Sequence, residues 1–421
     1  MTVDPTKYIL SYLLVVLLSV AEVFPMSLSA MVGAAFAVLF GLSDGLFKYH
    51  EVLAFIDLEL IALLIAVMIV VEVVDRYGTF RYVALKVVRR VAARPQVLLV
   101  VTGLLSALTS LLLSDEAAIL LFVAILGSFS KIGGFDPVPF AITSAIMVNL
   151  GGTGTLIGSL PNMAIGLRAG FDFVEFASYL LPVEFMLYGI TLLFLYRYFK
   201  PQLKPQAVVE FEDVEVSRSD ALRGAILLAF LLSSLILAGF LEFPISGVAL
   251  VSALIALAVS GFDTTDVFRR LDWDTIFFTA AFTVIIEVLG KAEALKGLIL
   301  FTQSITGGSL ALASLFIFFA SGLFGLFIPN LIMALSFIPL IDGLNFPDKR
   351  ALWAGLALGS NLSGVGLPVS SFVIVMTLGA LRREGYRVNP WTITKVGLLV
   401  TFIWLVFSAT YLLLRFNLLF G

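Results

Sequence analysis

The 421-residue sequence contains no cysteine, a single histidine and few charged residues. Without cysteine the chain forms neither disulfides nor thiolate metal sites, and His50 alone cannot build a multi-histidine metal centre. Only 13% of the residues are charged, against about 25% in a typical soluble domain. The net charge of −3 excludes a nucleic-acid-binding protein. Because 60% of the residues are hydrophobic, we expect a multi-pass integral protein of the cell's inner or plasma membrane.

The apolar stretches are long enough for transmembrane helices, which need about 17–25 residues. They predict an all-α polytopic membrane protein with about ten transmembrane helices. Two of the stretches, 138–168 and 351–380, are longer than one crossing requires, and each is broken by a glycine-rich motif. The predicted crossings are 8–24, 26–43, 52–74, 138–168, 178–196, 223–240, 244–260, 272–290, 351–380 and 393–415.

Two further apolar blocks, 95–131 and 308–343, are interrupted by polar residues near the middle. The interruption reads SDE at 114–116 in the first block and PN at 329–330 in the second. Each block is too long for one helix, so we predict a re-entrant hairpin of two half-length helices with a polar tip. Irregular backbone at this depth is tolerated only where protein or a water-filled cavity surrounds it.

The sequence also contains an internal repeat. Each half is predicted to hold five crossings and one hairpin. Because five is an odd number, the second half must enter the membrane in the opposite orientation, which gives a 5+5 inverted repeat. The matching positions are 56–59 with 271–274, Glu72 with Glu287, Asp115 with Asn330 and, at a slightly different offset, NLGGTG at 149–154 with NLSGVG at 361–366.

Charged loops support this topology. Segment 75–94 carries six basic residues and its counterpart 290–309 carries two, so the positive-inside rule places the first in the cytoplasm and the second outside. The basic run 81–94 is interpreted as an amphipathic helix on the membrane surface. The polar run 201–220 is predicted to be a cytoplasmic linker between the halves.

Inverted repeats with interrupted helices indicate a secondary transporter. Half-helix N-termini present partial positive charge to anions, and C-terminal carbonyls bind Na⁺ or a proton donor. A carboxylate inside the membrane costs at least ~2.5 kcal/mol and is functional by default. We therefore predict one central substrate- and ion-binding cavity. Its predicted residues are Ser114, Asp115, Glu116, Asn149, Gly151, Gly152, Thr153, Gly154, Thr155, Asn330, Asn361, Ser363, Gly364 and Gly366.

Other charged residues in apolar stretches are interpreted as structural. Glu72 and Glu287 lie near helix ends, where they cap a helix or extend toward water. Arg168 ends the first interrupted helix, and we expect its long side chain to reach the membrane surface.

The stretch 149–162, which reads NLGGTGTLIGSLPN, resembles the signature of the ion transporter superfamily. In particular, the chain is similar to ArsB/NhaD-type permeases, which are themselves similar to divalent anion/sodium symporters and citrate transporters. The resemblance implies a scaffold part (1–94 and 221–306) and a transport part (95–200 and 307–421). It also implies a homodimer, an elevator-like movement and a role for Asn162 in the site.

The sequence departs from the family pattern at both hairpin tips. Asp115 and Glu116 stand where the family often has asparagine and a small polar residue, and the second tip lacks a hydroxyl. Fewer hydroxyls weaken the case for two sodium sites, whereas the extra carboxylates favour proton coupling or cation binding. If Na⁺ is bound, its predicted ligands are Asp115, Asn149, Asn330 and Asn361.

The resulting hypothesis is a secondary active transporter that moves a small anion or oxyanion coupled to H⁺ or Na⁺, with no other cofactor. A Na⁺/H⁺ antiporter of the same fold, with Asp115 as the shared cation and proton site, remains an alternative. An uncoupled anion channel is a minor one. We do not expect an enzyme, because Asp115 lacks the sequence setting of an intramembrane aspartyl protease.

Overall fold

The computed structural model describes residues 4–21, 23–91, 94–113, 115–133, 136–203, 217–367, 372–383, 385–386 and 388–418. Within these residues the chain is entirely helical, which confirms the predicted fold class. The helices of the first half are α1 (Thr6–Val20), α2 (Met26–Ser43), α3 (Leu58–Arg76), α4 (Thr79–Val91), α5 (Pro95–Ser110), α6 (Asp115–Gly133), α7 (Val138–Gly151), α8 (Leu160–Ala169) and α9 (Phe173–Phe199).

The second half follows with the same order of elements. Its α12 corresponds to a short 3₁₀ helix, Tyr49–Phe55, of the first half. The opposite orientation of the two halves in the membrane stays a prediction. The helices are α10 (Arg218–Phe240), α11 (Ile245–Ser260), α12 (Thr264–Arg269), α13 (Trp273–Lys291), α14 (Lys296–Thr306), α15 (Leu310–Phe324), α16 (Asn330–Gly343), α17 (Arg350–Leu362), α18 (Phe372–Arg383) and α19 (Pro390–Arg415).

Corresponding helices begin at corresponding capping residues. Asp57 accepts a hydrogen bond from the backbone N–H of Leu60 (2.9 Å) and caps α3. Asp272 accepts one from the N–H of Thr275 (3.1 Å) and caps α13. A carboxylate at this position pairs with an otherwise unsatisfied N–H and with the positive end of the helix dipole. Both residues therefore have a structural role.

The two halves pack through exchanged pairs of helices. Helix α2 packs along α13, and their counterparts α11 and α3 pack in the same way. Within each half, α5 packs against α7 and α15 against α17. Between the halves, α16 contacts α8 and α6 contacts α18. The interrupted segments of one half therefore lie against those of the other.

The helices are interrupted at both predicted tips and at both predicted breaks, and the re-entrant placement of the hairpins in the membrane stays a prediction. The first hairpin turns at the first tip (111–114), of which 114 lies outside the described residues, and the second hairpin turns at the second tip (325–329). The first broken helix is interrupted at the first break (152–159). The second broken helix is interrupted at the second break (363–371), of which 368–371 lie outside the described residues.

Five of the described helices, α2, α9, α10, α13 and α19, are long and apolar enough to cross a bilayer by themselves. A sixth crossing results if the 3₁₀ helix 49–55 and α3, which are bent by 43°, count as one span. The predicted crossings 8–24 and 244–260 contain shorter helices, α1 with 15 residues and α11 with 16. The apolar run exceeds the helix there because apolar residues continue into the adjoining turns.

Some predicted boundaries move. The span predicted to start at residue 52 begins as an α-helix only at Leu58, because Asp57 caps it. The basic run forms α4, a separate helix before the first hairpin. Residues 204–216 of the predicted linker lie outside the described residues, and α10 already begins at Arg218 after its capping residue Ser217. The linker therefore ends before residue 220.

Candidate functional site

The first break is held by the side chain of Asn162, which lies in the first turn of α8. Its Nδ2 donates to the carbonyl oxygens of Gly152 (3.0 Å), Thr153 (3.0 Å) and Thr155 (2.8 Å). The Thr155 carbonyl also accepts a hydrogen bond from the Gly158 N–H (3.3 Å), whereas those of Gly152 and Thr153 have no backbone partner among the described residues. Leaving these two unsatisfied at this depth would be costly. Asn162 is fully buried, so it supports the break from within and does not present its amide N–H groups to a ligand.

Asn361, at the end of α17, connects the second broken helix to this support. Its Nδ2 donates to Asn162 Oδ1 (2.8 Å) and to the carbonyl oxygen of Ala357 (2.7 Å). The side chain of Asn361 is also buried. The two predicted site asparagines therefore bind each other and fix the two broken helices side by side.

The first tip lies against the first break. Ser110 Oγ donates to the carboxylate of Asp115, the first residue of α6. Thr155 Oγ1 donates to the carbonyl oxygen of Leu111 (3.0 Å). A β-carbon on Gly152 would lie 3.0 Å from Asp115 Oδ1, so glycine permits this close approach. Asp115 thus faces the break, as the sequence predicted.

Two other predicted residues of the first tip are not fully described. Ser114 lies outside the described residues, and for Glu116 the structure describes the backbone, in the first turn of α6. The predicted roles of both residues stay predictions.

At the centre, the second break meets the second tip and the end of α7. A β-carbon on Gly364 would lie 2.5 Å from Asn149 Nδ2 and 3.0 Å from Asn330 Nδ2. The Oδ1 atoms of both asparagines are buried and accept no hydrogen bond from the described part of the chain. This central site, formed by Asn149, Asn330 and Gly364, therefore offers amide groups with unused hydrogen-bonding capacity.

Three predicted site residues contribute to packing in the described structure. A β-carbon on Gly151 would lie 2.2 Å from the carbonyl oxygen of Ala107, so this glycine lets α7 approach α5. Gly366 packs against a leucine side chain of the second tip. Ser363 Oγ donates to the carbonyl oxygen of Ser360 (2.9 Å). Their predicted role as ligands stays a prediction.

A further polar group, Glu184 in α9, was not predicted. Its side chain is fully buried, and Oε1 accepts a hydrogen bond from Tyr188. Oε2 lies against Gly154 of the first break and has no hydrogen-bond partner of normal geometry in the described structure. Thr153 Oγ1 is likewise buried without a described partner. The sequence did carry a signal, because Glu184 is an acidic residue inside the apolar stretch 178–196.

The segments that form the site contain carboxylates but no basic residue. Asp115 and Glu184 are close enough for their charges to interact. Neither lysine, arginine nor histidine occurs in the sequence of the tips, the breaks and the adjoining helix turns. These segments are 105–120, 149–162, 325–335 and 357–367.

A cavity of about 980 Å³ separates α3, α13 and α14 from the ends of α8 and α16. The charged side chains that border it are predominantly acidic. Five carboxylates and two basic side chains border it, namely Asp57, Glu59, Glu287, Glu293, Asp342, Arg168 and Lys296.

Both basic side chains of this cavity form ion pairs, and one of these pairs corrects the interpretation of Arg168. Arg168 Nη2 lies 2.7 Å from Asp342 Oδ2, so the arginine joins α8 to α16 and does not simply extend toward the membrane surface. Lys296 pairs with Glu293 at 2.8 Å. Both basic side chains of the cavity are therefore neutralised by neighbouring carboxylates.

Glu72 and Glu287 have different surroundings. Glu72 Oε1 lies 2.7 Å from Arg76 Nε and 3.7 Å from Arg270 Nε, which confirms the structural interpretation of this residue. Glu287 lies 3.8 Å from Lys291 Nζ and also borders the cavity.

The order of hairpins and broken helices can be compared with known proteins. The model of the family described as citrate transporter matches residues 14–354. The chain belongs to the citrate transporter family. The uncharacterized transporter Rv2685 of Mycobacterium tuberculosis is 30% identical over 388 residues, covering 89% of this chain and 90% of that protein. The 46 kDa membrane protein of Mycobacterium leprae is 28% identical over 404 residues, covering 93% and 94%.

A solved structure shares the fold. The YdaH transporter of Alcanivorax borkumensis superposes with a TM-score of 0.58 over 85% of both chains, at 16% sequence identity. The predicted resemblance is thus confirmed at the level of the citrate transporter family. This chain is accordingly a multi-pass integral membrane protein and a membrane transporter.

Proposed function

We propose that this member of the citrate transporter family is a secondary active transporter for a small carboxylate or other oxyanion, coupled to H⁺ or Na⁺. The main support is the meeting of Asn149, Asn330 and Gly364, which joins both halves in one polar site. The description of the family as citrate transporters supports an anionic substrate.

The half-helices give this site its affinity for anions. Helices α6 and α16 begin at the two tips, and α8 and α18 begin directly after the two breaks. A helix N-terminus attracts an anion by about 0.3–1 kcal/mol at exposed sites and up to ~2 kcal/mol when partly buried. The amide groups of Asn149 and Asn330 add hydrogen bonds. The site therefore binds an anion without lysine or arginine.

The carboxylates supply the coupling. Two like charges about 6 Å apart repel by about 3 kcal/mol at an effective dielectric constant of about 20. An ionised Asp115 would therefore weaken the binding of an anion about 100-fold, and H⁺ or Na⁺ on Asp115 removes this penalty. Substrate and coupling ion consequently bind together.

Unequal contacts support an elevator-like movement of the transport part against the scaffold part. Helix α8 contacts α3 and α16 contacts α13. The pairs that correspond to them in the repeat are α18 with α13 and α6 with α3. These pairs make little or no contact among the described residues. Exchanging these two sets of contacts would produce a second conformation open to the other side. The acidic cavity lies between the same elements and would face outside.

Reconstitution in liposomes tests the function. Sodium and pH gradients are imposed separately, and the uptake of radiolabelled citrate, succinate and sulfate is followed together with internal pH. We expect accumulation of at least one anion that stops when the driving gradient is dissipated. Uptake that ignores both gradients would instead indicate a channel. The homodimer implied by the resemblance stays a prediction, to be checked by mass measurement in detergent.

A Na⁺/H⁺ antiporter is a second candidate because of the acidic cavity and the absence of basic residues in the site segments. Proton efflux driven by Na⁺, without any of the three anions, would favour it. In that case Asp115 is the shared binding site for the two cations.

A further inference from the structure

Glu184 belongs to neither hairpin and neither broken helix, yet it contacts the first break. It lies in the middle of α9, and its side chain is fully buried. A β-carbon on Gly154 would lie only 1.6 Å from Glu184 Oε2, so the carboxyl group occupies the space that the absent side chain leaves. Glycine at 154 is therefore what allows the acidic group to reach the break.

The described surroundings of Glu184 compensate a negative charge only in part. None of the described lysine, arginine or histidine side chains forms an ion pair with it. The hydroxyl of Tyr188 donates a hydrogen bond to Oε1, and the backbone N–H of Gly154 also acts on the carboxyl group. An ionised carboxylate buried with so little compensation is very costly, whereas a protonated carboxyl group is not.

Two carboxylates thus contact one short segment of backbone. Asp115 approaches it at Gly152 and Glu184 approaches it at Gly154. Their negative charges repel each other, so ionisation of one favours a proton on the other. Among the described residues, Tyr188 and Asp115 are the titratable groups that act on Glu184.

We propose that Glu184 is a proton-binding residue of the transport cycle and shares the coupling proton with Asp115. Its proton resides on Oε2, because Oε1 accepts the hydrogen bond from Tyr188. When the movement of the transport part brings water to the site, Oε2 releases the proton to that water, and the remaining carboxylate keeps the Tyr188 hydrogen bond. The tight packing against Gly154 favours H⁺, which needs no coordination shell, over Na⁺. This inference rests on the proposed function and names its coupling ion.

Helix α9 supplies a matched control. Tyr179 donates to Glu175 Oε1 (3.1 Å), so the helix contains a second glutamate–tyrosine pair with the same four-residue spacing. That pair lies at the N-terminal end of α9, in its first turns. The substitutions Glu184→Gln and Glu175→Gln therefore remove the same chemical group from the same helix, once at the break and once away from it.

Transport measurements test the role in coupling. In liposomes, Glu184→Gln should lose citrate accumulation driven by a pH gradient but keep exchange of labelled for unlabelled citrate at equal concentrations, since the glutamine imitates the protonated state. Glu175→Gln should retain both activities. Normal pH-driven accumulation in Glu184→Gln, or accumulation driven by Na⁺ alone in the unmodified protein, would overturn the proposal.

An infrared measurement does not depend on knowing the substrate. The difference spectrum of unmodified protein minus Glu184→Gln should contain the C=O stretching band of a protonated carboxyl group at neutral pH. The corresponding spectrum for Glu175→Gln is recorded as the matched control. Carboxylate bands for Glu184 would overturn the proposal, even if citrate proves not to be transported. Conversely, failure of every anion with an intact carboxyl band would count against the proposed function alone.

Tyr188→Phe covers the case in which Glu184→Gln does not fold. Removing the hydroxyl takes away the donor that stabilises the ionised carboxylate. We expect a folded protein whose transport declines at a higher pH than in the unmodified protein. An unchanged pH profile would overturn the proposal.

Discussion

Asn361 donates a hydrogen bond to Asn162 across 2.8 Å, and this contact joins the two broken helices at the point where each leaves its regular geometry. The two residues come from opposite halves of the chain, 199 positions apart. Asn162 in turn satisfies the carbonyl oxygens of the first break. The first break, in the first half, is thus stabilised through Asn162 by α17 of the second half.

Replacing Asn162 by alanine should destabilise the protein. The substitution leaves the carbonyls of Gly152 and Thr153 without their side-chain donor, and each buried group left unsatisfied costs about 1–3 kcal/mol. We expect a clear fall in Tm, measured by thermal unfolding in detergent. Asn345→Ala, at an exposed position, is the control and should change stability by less than about 0.5 kcal/mol. A normal Tm for Asn162→Ala would contradict the supporting role.

Gly364→Ala should block the central site. The new methyl group would lie 2.5 Å from Asn149 Nδ2 and would push both amide side chains aside. Because these are flexible side-chain atoms, we expect the protein to fold but to lose anion uptake in liposomes. Gly189→Ala, which meets no atom within 4 Å, makes the same change in open space and should transport normally. Equal uptake by both variants would exclude Gly364 from the site.

Asp115→Asn should uncouple transport from the ion gradient. The amide cannot ionise, so H⁺ or Na⁺ no longer changes the charge beside Gly152. We expect anion uptake that becomes independent of the imposed gradients. Asp136→Asn is a matched control, because Asp136 is exposed and accepts a hydrogen bond from the Val138 N–H, a bond that asparagine also accepts. Wild-type coupling in Asp115→Asn would remove Asp115 from the mechanism.

A disulfide between positions 299 and 343 tests the elevator-like movement. The native chain contains no cysteine, so the pair can be introduced into otherwise unaltered protein. A β-carbon on Gly343 would lie 3.1 Å from Ile299 Cγ1, which is compatible with the spacing that a disulfide requires. Oxidation should stop uptake by fixing α16 to α14, and reduction should restore it.

Each single-cysteine variant, Ile299→Cys or Gly343→Cys, should remain insensitive to oxidant. Continued uptake by the fully oxidised double variant would contradict any mechanism in which α16 moves along α14.

Sequence patterns predicted the hairpins, the breaks and most of the central residues. Gly152 and Asn330 were found because polar or glycine-rich positions interrupted long apolar stretches. Arg168 was misinterpreted because its partner, Asp342, lies 174 positions away, and no local pattern reveals such a pair. Glu184 was overlooked because the stretch 178–196 is otherwise an ordinary apolar span, without a glycine-rich interruption to mark it.

The sequence by itself determined that this protein lies in a membrane, because its apolar surface cannot be hidden in a soluble core. It also determined where the helices stop, since glycine, proline and polar side chains interrupt helices locally. Only the tertiary structure decided which polar groups satisfy each other and which are left with unused hydrogen-bonding capacity. Asn149 and Asn162 have the same side chain, yet among the described residues only Asn162 has hydrogen-bond partners on both broken helices, because that depends on the packing of distant segments.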